Sequence, residues 1–240
     1  MVLQKKDFIE IQFTGRLKEN QEIFDSNIKE YLAKANLTQE PKPFIFSLGQ
    51  GMFLQGIDDF LVGKPEIPSN YKIELPPEKA FGPRLSQLIQ LMPIKVFQQQ
   101  KVYPVPGAMF NFDGRIGKIL SVSGGRVRVD FNNPISGKSV IYDVKVLRKI
   151  SDQNEKVKSF INFLFRRDLK FEIISDKIII EVEKKMAEFI KLFDGKFKEL
   201  FGVGLEVKEI SNAEKKIENA LGKETTNQFK EVPKESLSAN

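Results

Sequence analysis

One acidic residue of this chain, Asp25, lies among phenylalanines. It belongs to the motif Phe24-Asp25-Ser26, which follows Phe13-Thr14-Gly15 and precedes a glycine-rich run at 49–56 and the motif Ala80-Phe81-Gly82. A carboxylate surrounded by apolar side chains can offer one polar contact to an apolar ring. It has no neighbouring base or nucleophile of the kind that covalent catalysis needs. The pattern therefore favours a binding pocket over a hydrolase, a transferase or a metal site.

The residue types that are missing narrow the chemistry further. The chain has no histidine and no cysteine, which removes imidazole acid–base catalysts, thiol nucleophiles and the usual zinc ligands. No segment has the spacing of a calcium loop or of a phosphate-binding Walker loop. Magnesium or calcium bound by carboxylates stays compatible with the composition, but we expect no cofactor and no bound metal.

Composition indicates a globular protein outside the membrane. Hydrophobic residues make up 41% of the 240 residues and charged residues 29%, which is typical of a soluble domain. No apolar run approaches the roughly 18 residues of a membrane span, and the first residues lack the apolar stretch of a signal peptide. We expect a cytoplasmic protein.

The net charge of +6 is concentrated in one segment. Residues 84–136 contain seven Lys and Arg against two Asp, whereas residues 151–240 contain 17 basic and 17 acidic residues. A basic segment of this size is usually solvated surface. With Phe110, Phe112 and Phe131 nearby, it also admits an alternative in which the segment binds RNA, for example on the ribosome.

Hydrophobic periodicity places the motifs on short strands and helices. Alternation predicts strands at 7–14, 44–48, 71–75 and 140–146, with a return strand at 21–25. Short helices are predicted near Tyr31 and from Ile57 to Leu61. In the basic segment, strands at 116–122 and 126–131 flank Gly124-Gly125, a pair suited to a tight turn.

The pattern changes again after Ile150. A helix is predicted around 157–164, a hairpin at 170–182 around Ser175-Asp176, one amphipathic helix over 186–201, and a strand at 203–210. Residues 211–240 are polar; a partial helix as far as Leu221 fits their pattern, and the rest is predicted to be a loose, disordered tail. The fold class expected from the whole pattern is α+β.

Six motifs, taken together, resemble the FKBP-type peptidyl-prolyl cis-trans isomerases. Their order and spacing match over roughly 95 residues once the segment 84–136 is left out: Phe13-Thr14-Gly15-Arg16-Leu17, Ile23-Phe24-Asp25-Ser26, Pro43-Phe44-Ile45-Phe46-Ser47-Leu48-Gly49, Phe53-Leu54-Gln55-Gly56, Pro77-Glu78-Lys79-Ala80-Phe81-Gly82 and Tyr142-Asp143-Val144. The resemblance implies an FKBP-like twisted antiparallel sheet around a short helix, formed by residues 1–83 and 137–150.

The basic segment resembles the insert-in-flap domain of SlyD-like isomerases, which binds unfolded chains. The resemblance is carried by residues 92–97, 106–110 and 129–138, with Phe131-Asn132-Asn133-Pro134 in place of the familiar Gly-Asn-His-Pro. It implies a β-rich chaperone domain at 84–136. Residues 151–240 are similar to the C-terminal α/β extension of archaeal long-form FKBPs, which implies a homodimer formed through that extension.

The resemblance implies that the chain accelerates cis-trans isomerisation of X-Pro bonds in unfolded or nascent polypeptides and acts as a chaperone. The implied catalytic residues are Asp25, Phe13 and Phe81. The implied pocket residues are Phe24, Phe44, Phe53, Leu54, Ile57 and Tyr142, with the Leu54 N–H holding a substrate carbonyl. Each phenylalanine taken alone is also compatible with a place in the core, and Phe46 is expected there.

Two positions depart from the family pattern. Phe13 and Phe81 stand where most members carry tyrosine. The first of those hydroxyls orients the aspartate in the family, and the second donates to the ligand. A lost hydrogen bond costs about 0.5–1.5 kcal/mol, so we expect modest but measurable activity. The alternative is a non-enzymatic holdase that keeps the FKBP fold.

The apolar residues of the insert suggest where it would hold clients. The predicted client-binding residues are Leu85, Leu88, Leu91, Met92 and Phe97. The insert also needs a small core of its own. Burial of Ile94, Val96 and Phe97, with the leucines exposed, fits the sequence equally well.

Overall fold

The computed structural model describes residues 2–65 and 69–210. It is a mixed α+β structure that divides into two compact units, Met1–Asp152 and Gln153–Asn240. The predicted loose tail at 211–240 lies outside the described residues. No helix in the described part of the chain is long and apolar enough to cross a bilayer.

Twelve strands and six α-helices make up the described ranges. The strands are β1 (Phe8–Leu17), β2 (Ile23–Ser26), β3 (Phe44–Ser47), β4 (Ser69–Leu75), β5 (Ile89–Pro93), β6 (Met109–Phe112), β7 (Arg115–Ser123), β8 (Arg126–Asp130), β9 (Val140–Lys149), β10 (Phe171–Ile174), β11 (Lys177–Glu183) and β12 (Gly204–Ile210). The helices are α1 (Lys29–Lys34), α2 (Gln55–Leu61), α3 (Ile94–Gln99), α4 (Gln153–Phe165), α5 (Lys184–Lys191) and α6 (Asp194–Phe201).

The first sheet is antiparallel and has β1 at its centre. β1 pairs with β2, β3 and β9, and β9 pairs in turn with β4. The predicted strands and the two short helices of this part are confirmed. The predicted end of the first strand at residue 14 is wrong, because β1 continues to Leu17 through an irregularity in the β2 pairing between Gly15 and Arg16. Pairing with β9 along its whole length extends the strand.

Alternation along the central strands builds the core of the first sheet. Ile9, Ile11, Phe46 and Val146 are fully buried, as are Leu48 and Leu61 at the ends of neighbouring elements. Full burial of a large apolar side chain contributes about 1.5–3 kcal/mol. The prediction that Phe46 is a core residue is confirmed.

The basic segment forms a second antiparallel sheet, ordered β5-β8-β7-β6. The turn at Gly124-Gly125 is confirmed, with φ of 56° and 73° at the two glycines. One face of the sheet packs around Phe97, Ile119, Val127 and Val129. Phe97 is only 3% exposed. It therefore belongs to the core of this sheet and offers no surface to a client, contrary to its predicted role.

The second unit contains a three-stranded sheet, ordered β10-β11-β12, with β11 and β12 parallel. The predicted hairpin around Ser175-Asp176, the helix at 157–164 and the strand near 203–210 are confirmed. The single helix predicted over 186–201 is wrong, because the chain turns at Leu192 and Phe193 between α5 and α6. Their N–H groups donate to carbonyls three residues back, and the Asp194-Gly195 pair that follows is a poor helix former.

Candidate functional site

Asp25 and Tyr142 flank Gly15 in the first sheet. Gly15 on β1 pairs with Asp25 on β2 and with Tyr142 on β9. A Cβ at Gly15 would lie 2.9 Å from Cζ of Tyr142 and 3.0 Å from Cζ of Phe24, closer than side chains pack without displacement. The absence of a side chain at Gly15 therefore lets two aromatic rings approach the strand beside the carboxylate.

Buried polar contacts hold β2 in place next to β1. The Ser26 hydroxyl donates to the Phe13 carbonyl at 3.0 Å, and the Asn27 side chain accepts from the Phe13 N–H at 2.7 Å and donates to the Ile11 carbonyl at 2.9 Å. Buried polar groups that are paired in this way fix a unique geometry. They position Asp25, the residue before Ser26.

The predicted aromatic residues form one connected group. Ring centroids lie 5.0 Å apart for Phe13 and Phe53, 5.7 Å for Phe53 and Tyr142, 5.8 Å for Tyr142 and Phe24, and 5.6 Å for Phe24 and Phe81. These distances and the mostly edge-to-face orientations are those favoured by aromatic pairs. Phe44 joins the group through Phe13 and Phe53, at 6.3 and 5.4 Å.

Exposure divides this group into residues with free surface and residues below it. Phe24, Phe44, Phe53, Leu54 and Phe81 are half-buried, and so is Asp25. In contrast, Phe13 is 7% exposed, Tyr142 1% and Ile57 0%. The half-buried phenylalanines and Leu54 therefore keep part of their apolar surface exposed, while the other three side chains lie in the core beneath them.

Two side chains donate to the Asp25 carboxylate. The Tyr142 hydroxyl lies 3.5 Å from Oδ2, and Nε2 of Gln39 lies 3.1 Å from Oδ1. Gln39 also donates to the Ser26 carbonyl at 2.8 Å. Burial raises the pKa of Asp25, and these two donors together with the Ser26 N–H oppose the rise. Burial and the nearby carboxylate raise the pKa of Tyr142, so its phenol stays protonated.

The sequence reasoning missed both donors to Asp25. It assigned Tyr142 to the pocket wall only, and the orienting hydroxyl was expected from the tyrosine that Phe13 replaces. The structure supplies a hydroxyl from β9 instead. Gln39 lies in a polar loop between α1 and β3 and carries no motif or periodicity, so nothing in the sequence alone distinguishes it from its neighbours.

The start of α2 is shaped by a glycine. A Cβ at Gly56 would lie 2.5 Å from Cδ2 of Leu75 and 2.8 Å from the Lys79 carbonyl oxygen. The Leu54 carbonyl accepts from the N–H groups of Ile57 and Asp58. Among the described residues, no acceptor takes the Leu54 N–H, which is one of the unpaired donors expected at a helix N-terminus.

The loop that carries Phe81 is tied to the chain that leaves the second sheet. Gly82 donates to the Pro77 carbonyl at 2.7 Å, and Gly137 donates to the Gly82 carbonyl at 2.9 Å. The Ser136 hydroxyl donates to the Phe81 carbonyl at 3.1 Å. Positive φ at Gly82 and Gly137, 75° and 78°, suits glycine at both positions. The aromatic loop and the base of the insert are thus one bonded structure.

Asn132 joins the two segments of the chain that enter and leave the insert. It is 8% exposed, its amide oxygen accepts from the Leu85 N–H at 2.8 Å, and its amide nitrogen donates to the Leu85 carbonyl at 2.9 Å. It also contacts Asp130, which forms an ion pair with Arg84. The Asn132 side chain therefore acts as a clamp across the junction.

The structure does not bring the five predicted client-binding residues onto one surface. Leu85 is 41% exposed at the junction and Leu91 is 54% exposed on β5. Leu88 and Met92 are half-buried, and Met92 packs against the core around Phe97. Neighbouring residues on a strand point to opposite faces, so Leu91 and Met92 cannot serve the same surface.

No group of acidic residues that could hold a metal ion occurs among residues 2–65 and 69–210. The chemistry available at the Asp25 site is therefore that of an apolar aromatic surface with one carboxylate beside it.

The chain is similar in sequence to a known family and to several known proteins. Residues 90–135 match the family described as FKBP26, IF domain. The chain is 31% identical over 111 residues to the FKBP-type 16 kDa peptidyl-prolyl cis-trans isomerase of Escherichia coli, covering 44% of this chain and 73% of that protein. It is 28% identical over 149 residues to the short-type peptidyl-prolyl cis-trans isomerase of Methanocaldococcus jannaschii, covering 60% and 92%.

A third relative is a SlyD protein. The FKBP-type isomerase SlyD of Helicobacter pylori is 27% identical over 148 residues, covering 60% of this chain and 74% of that protein. The match to the Escherichia coli protein, joined by these other relatives, shows the family. The chain belongs to the FKBP-type peptidyl-prolyl cis-trans isomerases.

Proposed function

We propose that the protein accelerates cis-trans isomerisation of X-Pro bonds in unfolded polypeptides, with the aromatic group around Asp25 as its active site. The observation that carries the proposal is the combination of half-buried phenylalanines with one carboxylate and no acid–base or nucleophilic partner. Prolyl isomerisation is a reaction that needs no such partner, because no covalent bond is made or broken.

The physical argument starts from the amide. Rotation about the peptide bond costs about 18–20 kcal/mol because resonance is lost, and uncatalysed X-Pro isomerisation takes tens of seconds at 25 °C. The twisted amide has less charge separation than the planar one. An apolar surface therefore favours the twisted state over the ground state, which is the differential binding that lowers a barrier.

The proposed roles follow from exposure and contacts. Phe24, Phe44, Phe53 and Phe81 would receive the proline ring, and the Leu54 N–H would bind a substrate carbonyl. Phe13, Ile57 and Tyr142 would form the base of the pocket. Asp25 would face the carbonyl of the twisting amide, held by Gln39 and Tyr142.

Substitution of Asp25 tests the isomerase proposal. The readout is refolding of a protein limited by proline isomerisation, with the wild-type chain, Asp25→Ala and Asp59→Ala. Asp59 is an exposed acid on α2 outside the aromatic group. We expect Asp25→Ala to lose most of the acceleration and Asp59→Ala to keep it. Equal acceleration by both variants would remove Asp25 from the mechanism.

We further propose the domain division implied by the sequence. Residues 1–83 and 137–150 would be the isomerase domain, an FKBP-like sheet around α2. Residues 84–136 would be the inserted chaperone domain, and residues 151–240 the C-terminal extension. The division is supported by the separate sheets of these three parts and by the match of residues 90–135 to the IF domain family.

The C-terminal extension offers a surface for self-association. On α5, Phe189 is 51% exposed and the adjoining Leu192 is 79% exposed. We propose that this part forms a homodimer and that the protein works in the cytoplasm. Sedimentation of the wild-type chain and of Leu192→Glu would test the dimer. We expect the mass of a dimer for the wild type and a lower mass in solution for the variant.

A holdase without isomerase activity is the second candidate. The observation in its favour is that Phe13 and Phe81 lack the hydroxyls usual in the family. Suppression of aggregation by the wild-type chain, together with proline-limited refolding no faster than background at micromolar protein, would support the holdase and refute the isomerase.

A further inference from the structure

The second sheet has an open face opposite its core, which we call the outer face. It is defined by the β-sheet register: Leu91 pairs with Arg128, Pro93 with Arg126, and Met109 with Lys118. Val127 and Val129, which alternate with the two arginines along β8, are fully buried. Because side chains on a strand alternate between faces, the arginines and their partners lie together on the side away from the core.

The outer face combines apolar and cationic side chains. Leu91, Met109 and Ile116 are 54%, 53% and 51% exposed. The exposed cations are Lys118, Arg126 and Arg128. Leu91 and Met109 lie on the two edge strands, and the cations lie on the two central strands, so a cationic centre is bordered by apolar residues.

Little negative charge opposes these cations within the described part of the chain. Asp130 shares the face, but it is 8% exposed, forms an ion pair with Arg84 and accepts hydrogen bonds from Asn132. No ion pair with a described acidic side chain involves Lys118, Arg126 or Arg128. Their charge is therefore available to a partner.

The three phenylalanines that suggested RNA binding are turned away from this face. Phe110 and Phe112 pack against Phe97, and Phe131 packs against Phe112 and under Arg115. Binding of single-stranded nucleic acid draws on aromatic rings that stack with bases. The inward position of these rings removes their support for RNA binding and favours a polypeptide as the partner.

We propose that the outer face binds extended polypeptide segments in which acidic residues alternate with aliphatic ones. This deepens the proposed chaperone role of the insert and depends on it. Same-face side chains of an extended strand repeat at about 6.6–6.8 Å, which is also the repeat of Arg126 and Arg128. The carboxylates on one side of such a client would meet the central cations, and the methylene groups of the same side chains would lie beside Leu91. The alternating aliphatic residues would point away from the sheet.

Binding of labelled peptides to the full chain tests the proposal. Three unstructured peptides of equal length would be compared by fluorescence anisotropy: one with alternating Leu and Glu, one with Leu and Lys, and one with Leu and Gln. We expect the acidic peptide to bind about tenfold more tightly than the neutral one at low salt, with the advantage shrinking at high salt. The basic peptide should bind most weakly.

A matched pair of charge reversals locates the effect. Arg128→Glu on the outer face and Lys95→Glu on α3, which packs on the opposite face, change the net charge equally. We expect Arg128→Glu to weaken binding of the acidic peptide about fivefold or more, and Lys95→Glu to change its affinity less than twofold. Circular dichroism would check that both variants keep their fold.

The outcomes separate the inference from the function on which it depends. Equal binding of the acidic and neutral peptides, or equal effects of Arg128→Glu and Lys95→Glu, would overturn the charge preference while leaving a chaperone that holds apolar chain. Tighter binding of single-stranded RNA than of the acidic peptide would also overturn it. Isomerisation of a short proline peptide should be the same in both variants as in the wild type. If the wild-type chain shows no isomerase activity, that result counts against the proposed enzyme and not against the outer face.

Discussion

Removing one hydroxyl beside Asp25 is the sharpest perturbation that the site offers. In Tyr142→Phe the ring and its contacts with Phe13, Phe24 and Phe53 remain, and only the donor 3.5 Å from Asp25 Oδ2 is lost. A hydrogen bond contributes about 0.5–1.5 kcal/mol, and this long one belongs at the lower end. At about 1.4 kcal/mol per tenfold, we expect kcat/KM to fall about two- to fivefold.

The same substitution should move the pH dependence. The Tyr142 hydroxyl lowers the pKa of Asp25, which burial has already raised above the ordinary value of 3.8. If the carboxylate is the active form, activity is lost as pH falls through that pKa. We therefore expect the acid limb of kcat/KM to lie above pH 3.8 in the wild type and higher still in Tyr142→Phe.

Tyr71→Phe is the matched control. The Tyr71 hydroxyl is also buried, has no hydrogen-bond partner among the described residues, and belongs to a ring that packs on Phe60 away from the Asp25 group. Both variants would be assayed with a proline peptide across the pH range. If Tyr142→Phe matches the wild type at every pH, or if Tyr71→Phe loses as much activity, the proposed role of the hydroxyl is refuted.

Three further predictions concern Gly15, Asp58 and Asn132. Gly15→Ala should displace the Tyr142 ring, cost about 1–3 kcal/mol of stability and reduce peptide isomerisation; unchanged melting and activity would contradict the close approach. Burial raises the pKa of Asp58 to about 6, so the native state holds the proton more tightly than the unfolded chain, and stability should fall by about 2 kcal/mol as pH rises from about 4 to 7. Denaturant titrations at several pH values should show a smaller loss of stability with pH in Asp58→Asn than in the wild type. The same pH dependence in both proteins would refute the role of Asp58. Asn132→Ala breaks the clamp on Leu85, and it should slow catalysed refolding of a protein while sparing a short peptide; equal loss on both substrates would argue for simple unfolding.

How much the sequence could predict differs between elements. The strands around Asp25 have period-two patterns and bounding glycines or prolines, so their positions were predicted closely. The residues between Lys191 and Asp194 continue the apolar spacing of α5, and that spacing favoured a single helix although the Asp194-Gly195 pair is a poor helix former. That break depends on local turns at Leu192 and Phe193.

The candidate site divides in the same way. Motifs were sufficient to bring Asp25, Phe24 and Phe81 together, because each lies on a fixed element of the sheet or its loop. Gln39 reaches Asp25 from a loop whose path no periodicity specifies. Phe97 was predicted to bind clients, with burial as an equal alternative, because the density of apolar residues around it could not distinguish the core of a small sheet from its exposed face.

The central claim is that this protein catalyses rotation about an X-Pro bond at the Asp25 group. NMR exchange spectroscopy on a short proline peptide measures that rotation directly, without a coupled protease or a folding client. With micromolar wild-type chain, we predict cis-trans exchange well above the uncatalysed rate of about 0.01–0.1 per second and a marked loss in Asp25→Ala. Exchange that stays at the uncatalysed rate even with equimolar protein would contradict the claim.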